Sequence, residues 1–531
     1  MNESLLFLIL CAIVLFAVVA KRLRLAYPIV FVLGGVLLAL IPGVPTVTLQ
    51  PDWVFLLFLP PLLFGDGWST DFKLFMRYRQ PIGLLAVGLV GATTLTVMVV
   101  GHWVLRLPLG VSFVLGAILS PTDAVATDAI AEELSLPQRL GAILSGESLV
   151  NDATGLVLYR FGVAAVVAGS LAVWAPLDFV YVAVGGVVVG LVIANLLYRV
   201  QMFLNRQRLS DTLITVALTL AAPFLVYVPA DDVGVSGVLA AVSAGMYLSH
   251  KSPAMFDSDT RIAANNVWNL LFFTLNGAAF ILIGLQLRSL YIALAGFALG
   301  KLLVYGLVVT ATVILTRFAW VFPVARLRRL LNPRIAEREG PAPPWTWTFI
   351  LGWAGMRGIV SLAAALALPT TTMHGLPFPA RQLLIFITFT VILVSLLVQG
   401  LSLPWLIRRL NVVEQFEPEG MVARARVEAA DAALRKLTEL ETEFDSVAAW
   451  QVGGRLRAYY EQRLSHYRAH IDGVGLDEDA RQHAIDRKLR HQTYAAERER
   501  LSALRRSGEI SDDVYRRLEH ELDLAESRLA G

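Results

Sequence analysis

Two acidic clusters interrupt otherwise apolar sequence: Ser120-Pro121-Thr122-Asp123-Ala124-Val125-Ala126 and Gly146-Glu147-Ser148-Leu149-Val150-Asn151-Asp152. A carboxylate near the centre of a bilayer costs about 2.5–3.5 kcal/mol even on lenient insertion scales, so such a group marks function by default. Read as a helix, the second run places Ser148, Asp152 and Gly155 on one stripe, with Asn151 flanking it. That stripe presents hydroxyl, amide and carboxylate oxygens, hard ligands suited to a small cation. Glu147 lies about 140° around the helix from Asp152 and must face a different neighbour. The expected neighbour is Arg357 of Gly355-Met356-Arg357-Gly358, because a guanidinium inside a membrane also needs a partner. A buried Glu147–Arg357 ion pair is therefore expected to join two spans. No second cation then remains to neutralise Asp152, which argues against a purely structural role for it.

In the first cluster, Pro121 removes a backbone donor and predicts a helix broken at membrane depth. Asp123 either binds an ion directly or offsets the positive half-helix ends created by the break. The second role is favoured, which leaves the Thr122 hydroxyl or backbone oxygen as the better ligand. Asp128 is expected at a mouth of the cavity and Asp66 at an interface, and Lys301 and Arg160 near span ends are expected to snorkel. A carboxylate in a partly dehydrated cavity disfavours its charged form, so proton and cation compete for it. If the site opens to either side but never to both, that competition becomes exchange.

These residues need apolar elements to hold them, and composition supplies them. The chain has 531 residues, 56% hydrophobic and 16% charged, with a net charge of +3. Apolar runs of about 20 residues recur as far as Leu410, which excludes a soluble protein for most of the length. About thirteen spans are predicted, near 4–20, 28–42, 53–67, 82–105, 110–130, 138–166, 173–200, 212–228, 234–249, 262–286, 290–318, 344–368 and 381–409. The basic cluster Lys21, Arg22, Arg24 follows the first run instead of preceding it, which predicts a retained span and not a cleaved signal. Lys and Arg concentrate in alternate loops, about twenty against three, with Arg317 counted among the loop residues. This bias predicts an outside N-terminus and a cytoplasmic C-terminus.

If spans 1–6 and 8–13 are repeats with span 7 as linker, equivalent helices have opposite orientation, an inverted repeat. The partner of the broken fifth span is then the twelfth, which carries the glycine-punctuated stretch around Arg357. Two interrupted helices in equivalent positions point to a transporter binding site. After Leu410 the composition turns charged, with helical periodicity near 421–445, 449–470, 476–504 and 510–528. The expected division is a membrane domain over 1–410 and a soluble cytoplasmic helical tail over 411–531, the tail stabilising packing or a dimer. Cys11 is the single cysteine, so no intrachain disulfide or Cys-rich metal site forms. No motif calls for a cofactor or for nucleic acid.

The runs 121–126, 146–153 and 355–358 resemble the cation:proton antiporter-1 family, the sodium/proton exchangers, over roughly residues 1–410. The resemblance implies an all-α membrane protein of thirteen helices with two inverted repeats, crossed discontinuous helices, a dimerisation domain and a homodimer in the cell membrane. It implies that Asp152 carries ion and proton, with Thr122, Asp123 and Ser148 around a Na+ or Li+ ion and Asn151 ordering the site. It also implies the Glu147–Arg357 pair. Asparagine precedes Asp152 where electrogenic relatives have a second aspartate, which implies electroneutral exchange. Ala124 stands where many members have a second proline. The same fold carrying K+ is the nearest rival, and a passive channel or transporter-derived sensor a more remote one. An intramembrane aspartyl protease lacks its Gly-x-Gly-Asp motif here.

Overall fold

The computed structural model describes residues 3–42, 57–123, 136–169, 175–294, 298–331, 343–373, 375–412, 418–443, 447–472, 476–507, 509 and 511–527. Regular structure among them is helical throughout. In chain order the helices are α1 Glu3–Leu23, α2 Tyr27–Leu40, α3 Leu59–Ser69, α4 Phe72–Arg77, α5 Arg79–Trp103, α6 Leu109–Leu119, α7 Gln138–Ala168, α8 Ala175–Arg206, α9 Thr212–Asp232 and α10 Gly237–Met255. There follow α11 Ser258–Ala293, α12 Leu299–Leu331, α13 Trp345–Trp353, α14 Ile359–Leu366, α15 Arg381–Arg409, α16 Pro418–Glu443, α17 Val447–Asp472, α18 Leu476–Arg506 and α19 Asp512–Ser527.

Eight of the described helices, α1, α5, α7, α8, α9, α11, α12 and α15, contain a stretch long and apolar enough to cross a membrane. In a bilayer every backbone donor and acceptor must be satisfied within the protein, which leaves helices as the economical solution for such runs. Apolar side chains that would be a liability in water are then the solvated surface. Along α8, Val180, Val184, Val188 and Val192 stand exposed at helical spacing. Inside, helices approach through small residues. At the α2–α11 contact, a Cβ on Gly35 would run into the Ile281 carbonyl, and one on Gly284 into the Val32 carbonyl.

Other apolar helices are short because they are interrupted. α6 has 11 residues and ends just before Ser120-Pro121. α13 and α14 have 9 and 8 residues and are separated by the unwound stretch 354–358. α12 departs from the predicted register: it runs from Leu299 to Leu331, whereas the expected span closed near residue 318. The consequence is that Arg317 lies inside a helix and not in a loop.

The chain divides into two compact units, Met1–Glu414 and Gln415–Gly531. In the second, α16 and α17 are joined by an Arg468–Asp431 ion pair of 3.6 Å and by Arg426 over the Tyr467 ring. Arg498 on α18 binds Asp523 on α19 at 2.6 Å.

Candidate functional site

The two interruptions meet. Beyond α6 the chain leaves the helix through Ser120-Pro121-Thr122-Asp123, and there the Asp123 amide donates to the Met356 carbonyl at 2.8 Å, in the gap between α13 and α14. In return the Ile359 amide, at the start of α14, donates to Asp123 Oδ2 at 3.4 Å. Asp123 thus sits where a helix N-terminus offers unpaired donors and positive potential. This contact depends on Gly358, since a Cβ there would overlap the Asp123 carboxylate. Ala124 and Asp128 lie outside the described residues.

The unbroken helix α7 forms the next wall. Its Glu147, Ser148, Asn151 and Asp152 are all buried, at 1%, 4%, 1% and 5% exposure. Ser148 Oγ donates to the Thr122 carbonyl at 2.7 Å, and Asn151 Nδ2 donates to Thr122 Oγ1 at 2.7 Å. Thr122 Oγ1 in turn points its own donor at Glu147 Oε1, 3.4 Å away. The predicted stripe on α7 therefore grips the broken segment at Thr122. Gly155 lets α7 approach closely, because a Cβ there would press on the Pro121 ring.

Between these elements lies a cavity lined by Asp66, Pro121, Thr122, Asp123, Ser148, Asp152, Asn276 and Gly358, with apolar walls from Leu59, Leu62, Leu63, Ile359 and Val360. Asp152 makes no hydrogen bond or ion pair with the described residues, and its carboxylate faces this space. Among the described residues no three acidic, histidine or cysteine side chains are gathered tightly enough for a chelate. Asp66, Asp123 and Asp152 all line its wall.

One expected contact is wrong. Glu147 pairs with Arg317 of α12, not with Arg357: Arg317 Nη1 donates to Glu147 Oε1, and Nη2 to Oε2 at 2.8 Å. Both side chains are 1% exposed. Arg317 Nε also donates to the Leu351 carbonyl at 3.0 Å, so the fork ties α7 and α12 to α13. Arg357 does other work. Its Nε donates to the Leu119 carbonyl at 3.1 Å, and its Nη1 to the Gly355 carbonyl. These carbonyls are left over by the end of α6 and by the unwinding after α13, so a cation caps the C-terminus of one broken helix from within the other. The Arg357 amide donates to Ser395 Oγ at 3.2 Å.

Asp66, expected at an interface, lines the cavity, and α3 continues beyond it to Ser69. Asn276 of α11 also reaches the cavity and had not been singled out. A readable signal existed for Arg317: the apolar run Phe318-Ala319-Trp320-Val321-Phe322 continues straight after it.

Comparison with known proteins identifies the family and the fold. The sodium/hydrogen exchanger transmembrane family model matches residues 6–409. A Mycobacterium tuberculosis protein named as an uncharacterized Na+/H+ exchanger is 34% identical, with the match covering 98% of this chain and 95% of the relative. A Bacillus pumilus protein named as a sodium, potassium, lithium and rubidium/H+ antiporter is 32% identical over 78% of this chain and 62% of its own length. The sodium proton antiporter MjNhaP1 of Methanocaldococcus jannaschii shares the fold, with a TM-score of 0.61 and 20% identity over 77% of this chain and 98% of that one. The chain belongs to the sodium/hydrogen exchanger family, multi-pass secondary transporters that exchange a cation for a proton.

Proposed function

We propose that this protein exchanges Na+ or Li+ for H+, one for one, with both ions competing for Asp152. The observation that carries the reading is the buried Asp152 carboxylate, which faces a polar cavity and is engaged by no donor among the described residues. A group of that kind must acquire either a proton or a cation before it moves through the membrane, since carrying a bare charge incurs the full desolvation cost. Ser148, Thr122 and Asp123 surround the ion, and Asn151 orders Thr122 through its 2.7 Å bond. Asn151 is neutral where a second carboxylate would carry a further charge, which supports electroneutral exchange. The two breaks are tied to each other, Asp123 accepting from the Ile359 amide and Arg357 donating to the Leu119 carbonyl, which supports alternating access at this junction.

The protein works in the cell membrane as a homodimer, with its N-terminus outside and its helical tail in the cytoplasm, and serves pH homeostasis. Charge bias between loops supports the orientation, and the family resemblance supports the dimer. K+ is a second candidate cargo, favoured by the named cation range of the Bacillus pumilus relative. The test is proton movement in proteoliposomes holding a preset pH gradient, with Na+, Li+ or K+ added outside. Wild-type protein should collapse the gradient with Na+ or Li+, and Asp152→Asn should not, although it still inserts. Coupled flux with K+ alone would change the cargo and keep the mechanism. No coupled flux from folded protein would overturn the exchanger reading.

A further inference from the structure

Asn276 carries a feature that the exchange reading does not yet use. It sits on α11 and lines the same cavity as Ser148 and Asp152 of α7. Its carboxamide Oδ1 is buried and has no hydrogen-bond partner. Leaving a buried acceptor unpaired is costly, and an apolar side chain in this helix would avoid that cost. The other neutral oxygens of the wall are partly committed. The Thr122 carbonyl accepts from Ser148 Oγ at 2.7 Å, and Thr122 Oγ1 accepts from Asn151 at 2.7 Å. The Asn276 oxygen accepts from no donor among the described residues.

We propose that Asn276 is a ligand and affinity-setting residue for the transported alkali cation, supplying a neutral oxygen to the cavity that Asp152 also lines. An alkali cation is a hard ion that takes oxygen ligands to replace its water. Asp66, Asp123 and Asp152 already bring negative charge to the cavity, so the ligand on α11 adds lone pairs without a further proton acceptor. Cation binding then bridges α7 and α11, whereas protonation of Asp152 does not need α11 at all. The inference rests on the exchange reading above and adds a residue to its site.

The experiment measures the apparent KM for Na+ and the maximal rate of Na+-driven proton movement in proteoliposomes, for wild type, Asn276→Ala, Asn276→Leu and Asn276→Asp. A hydrogen-bond-strength contact to a charge corresponds to roughly tenfold or more in affinity. Alanine and leucine should raise KM for Na+ about tenfold or more with the maximal rate within about twofold. Aspartate, which keeps the oxygen, should hold KM at or below the wild-type value. Unchanged KM in the alanine and leucine variants overturns the assignment. So does a fall in maximal rate at constant KM, or equal damage from alanine and aspartate, because both describe packing. If the leucine variant fails to insert, Asn276→Ser against Asn276→Ala repeats the comparison without bulk: serine should recover part of the affinity, and equality with alanine counts against the ligand role. Absence of cation-driven flux in wild type would instead sink the exchange reading, so the two failures are distinguishable.

Discussion

The Glu147–Arg317 pair offers the most direct test of the architecture, because the sequence pointed to a different arginine. Arg317 places two donors on the Glu147 carboxylate and a third on the Leu351 carbonyl, with both charged side chains 1% exposed. Removing one member strands the other as an uncompensated charge in low dielectric, which costs about 3–5 kcal/mol. After Arg317→Met, Glu147 would keep, among the described residues, the long 3.4 Å contact from Thr122 Oγ1 and the Coulomb attraction of Arg357, so a loss within that range is expected. Glu147→Leu strands the guanidinium and should cost a similar amount. Removing both charges together leaves an apolar contact and is often nearly neutral. The double variant Glu147→Leu/Arg317→Met should therefore be more stable than either single variant, with a coupling energy of about 3 kcal/mol or more.

The same cycle with Arg357→Ala should behave differently. Arg357 gives its donors to the Leu119 and Gly355 carbonyls, so its loss is expected to cost about 1.5–3 kcal/mol for bonds made by a charged group. Its coupling to Glu147, a Coulomb attraction with no hydrogen bond between the two side chains, should be smaller than that of Arg317. Unfolding titrations in mixed micelles, followed by tryptophan fluorescence, give the four corners of each cycle. Coupling that is larger for Glu147 with Arg357 than with Arg317 would refute the assignment.

Further outcomes follow from individual contacts. Gly358→Ala would place a Cβ inside the Asp123 carboxylate and displace it from the start of α14; a cap-sized loss of about 0.5–2 kcal/mol is expected. Proteoliposome flux should fall at least about tenfold as the break is deformed, and a wild-type rate would show that Asp123 need not sit there. Asn151→Ala removes the 2.7 Å bond to Thr122 Oγ1, and a loss of about 0.5–1.5 kcal/mol should appear as a few-fold rise in KM for Na+. With one carboxylate shared between one proton and one cation, the sign of the pH effect is set: protons displace Na+ as pH falls. KM for Na+ should then rise about tenfold per pH unit in the acid limb, and a hundredfold rise would reveal a second exchanged proton.

What could be read from the sequence and what could not separate along a physical line. Apolar length and the breaks at Pro121 and at Gly355–Gly358 are local properties, and hydropathy with helix-breaking chemistry exposes them directly. The Ser148–Asp152 stripe is also local, since a 3.6-residue period fixes which side chains share a face. Its grip on Thr122 through two 2.7 Å bonds is the tertiary result. The partner of Glu147 is not local at all. Periodicity says that Glu147 turns away from Asp152 but not which helix it meets, and two arginines were available. Arg317 was discounted because a lone charge conventionally closes a span, and that rule fails where the charge has a buried partner, as the 33-residue α12 demonstrates. Asp66, expected at an interface, lines the cavity. A membrane helix can carry an ionised residue wherever another element supplies a counter-charge, a cavity or an ion. The rule that marks span ends and the rule that marks sites therefore draw on the same residues, and only packing tells them apart. Arg317 and Arg357 show both outcomes: one neutralises a carboxylate, and the other satisfies carbonyls that a broken helix leaves behind.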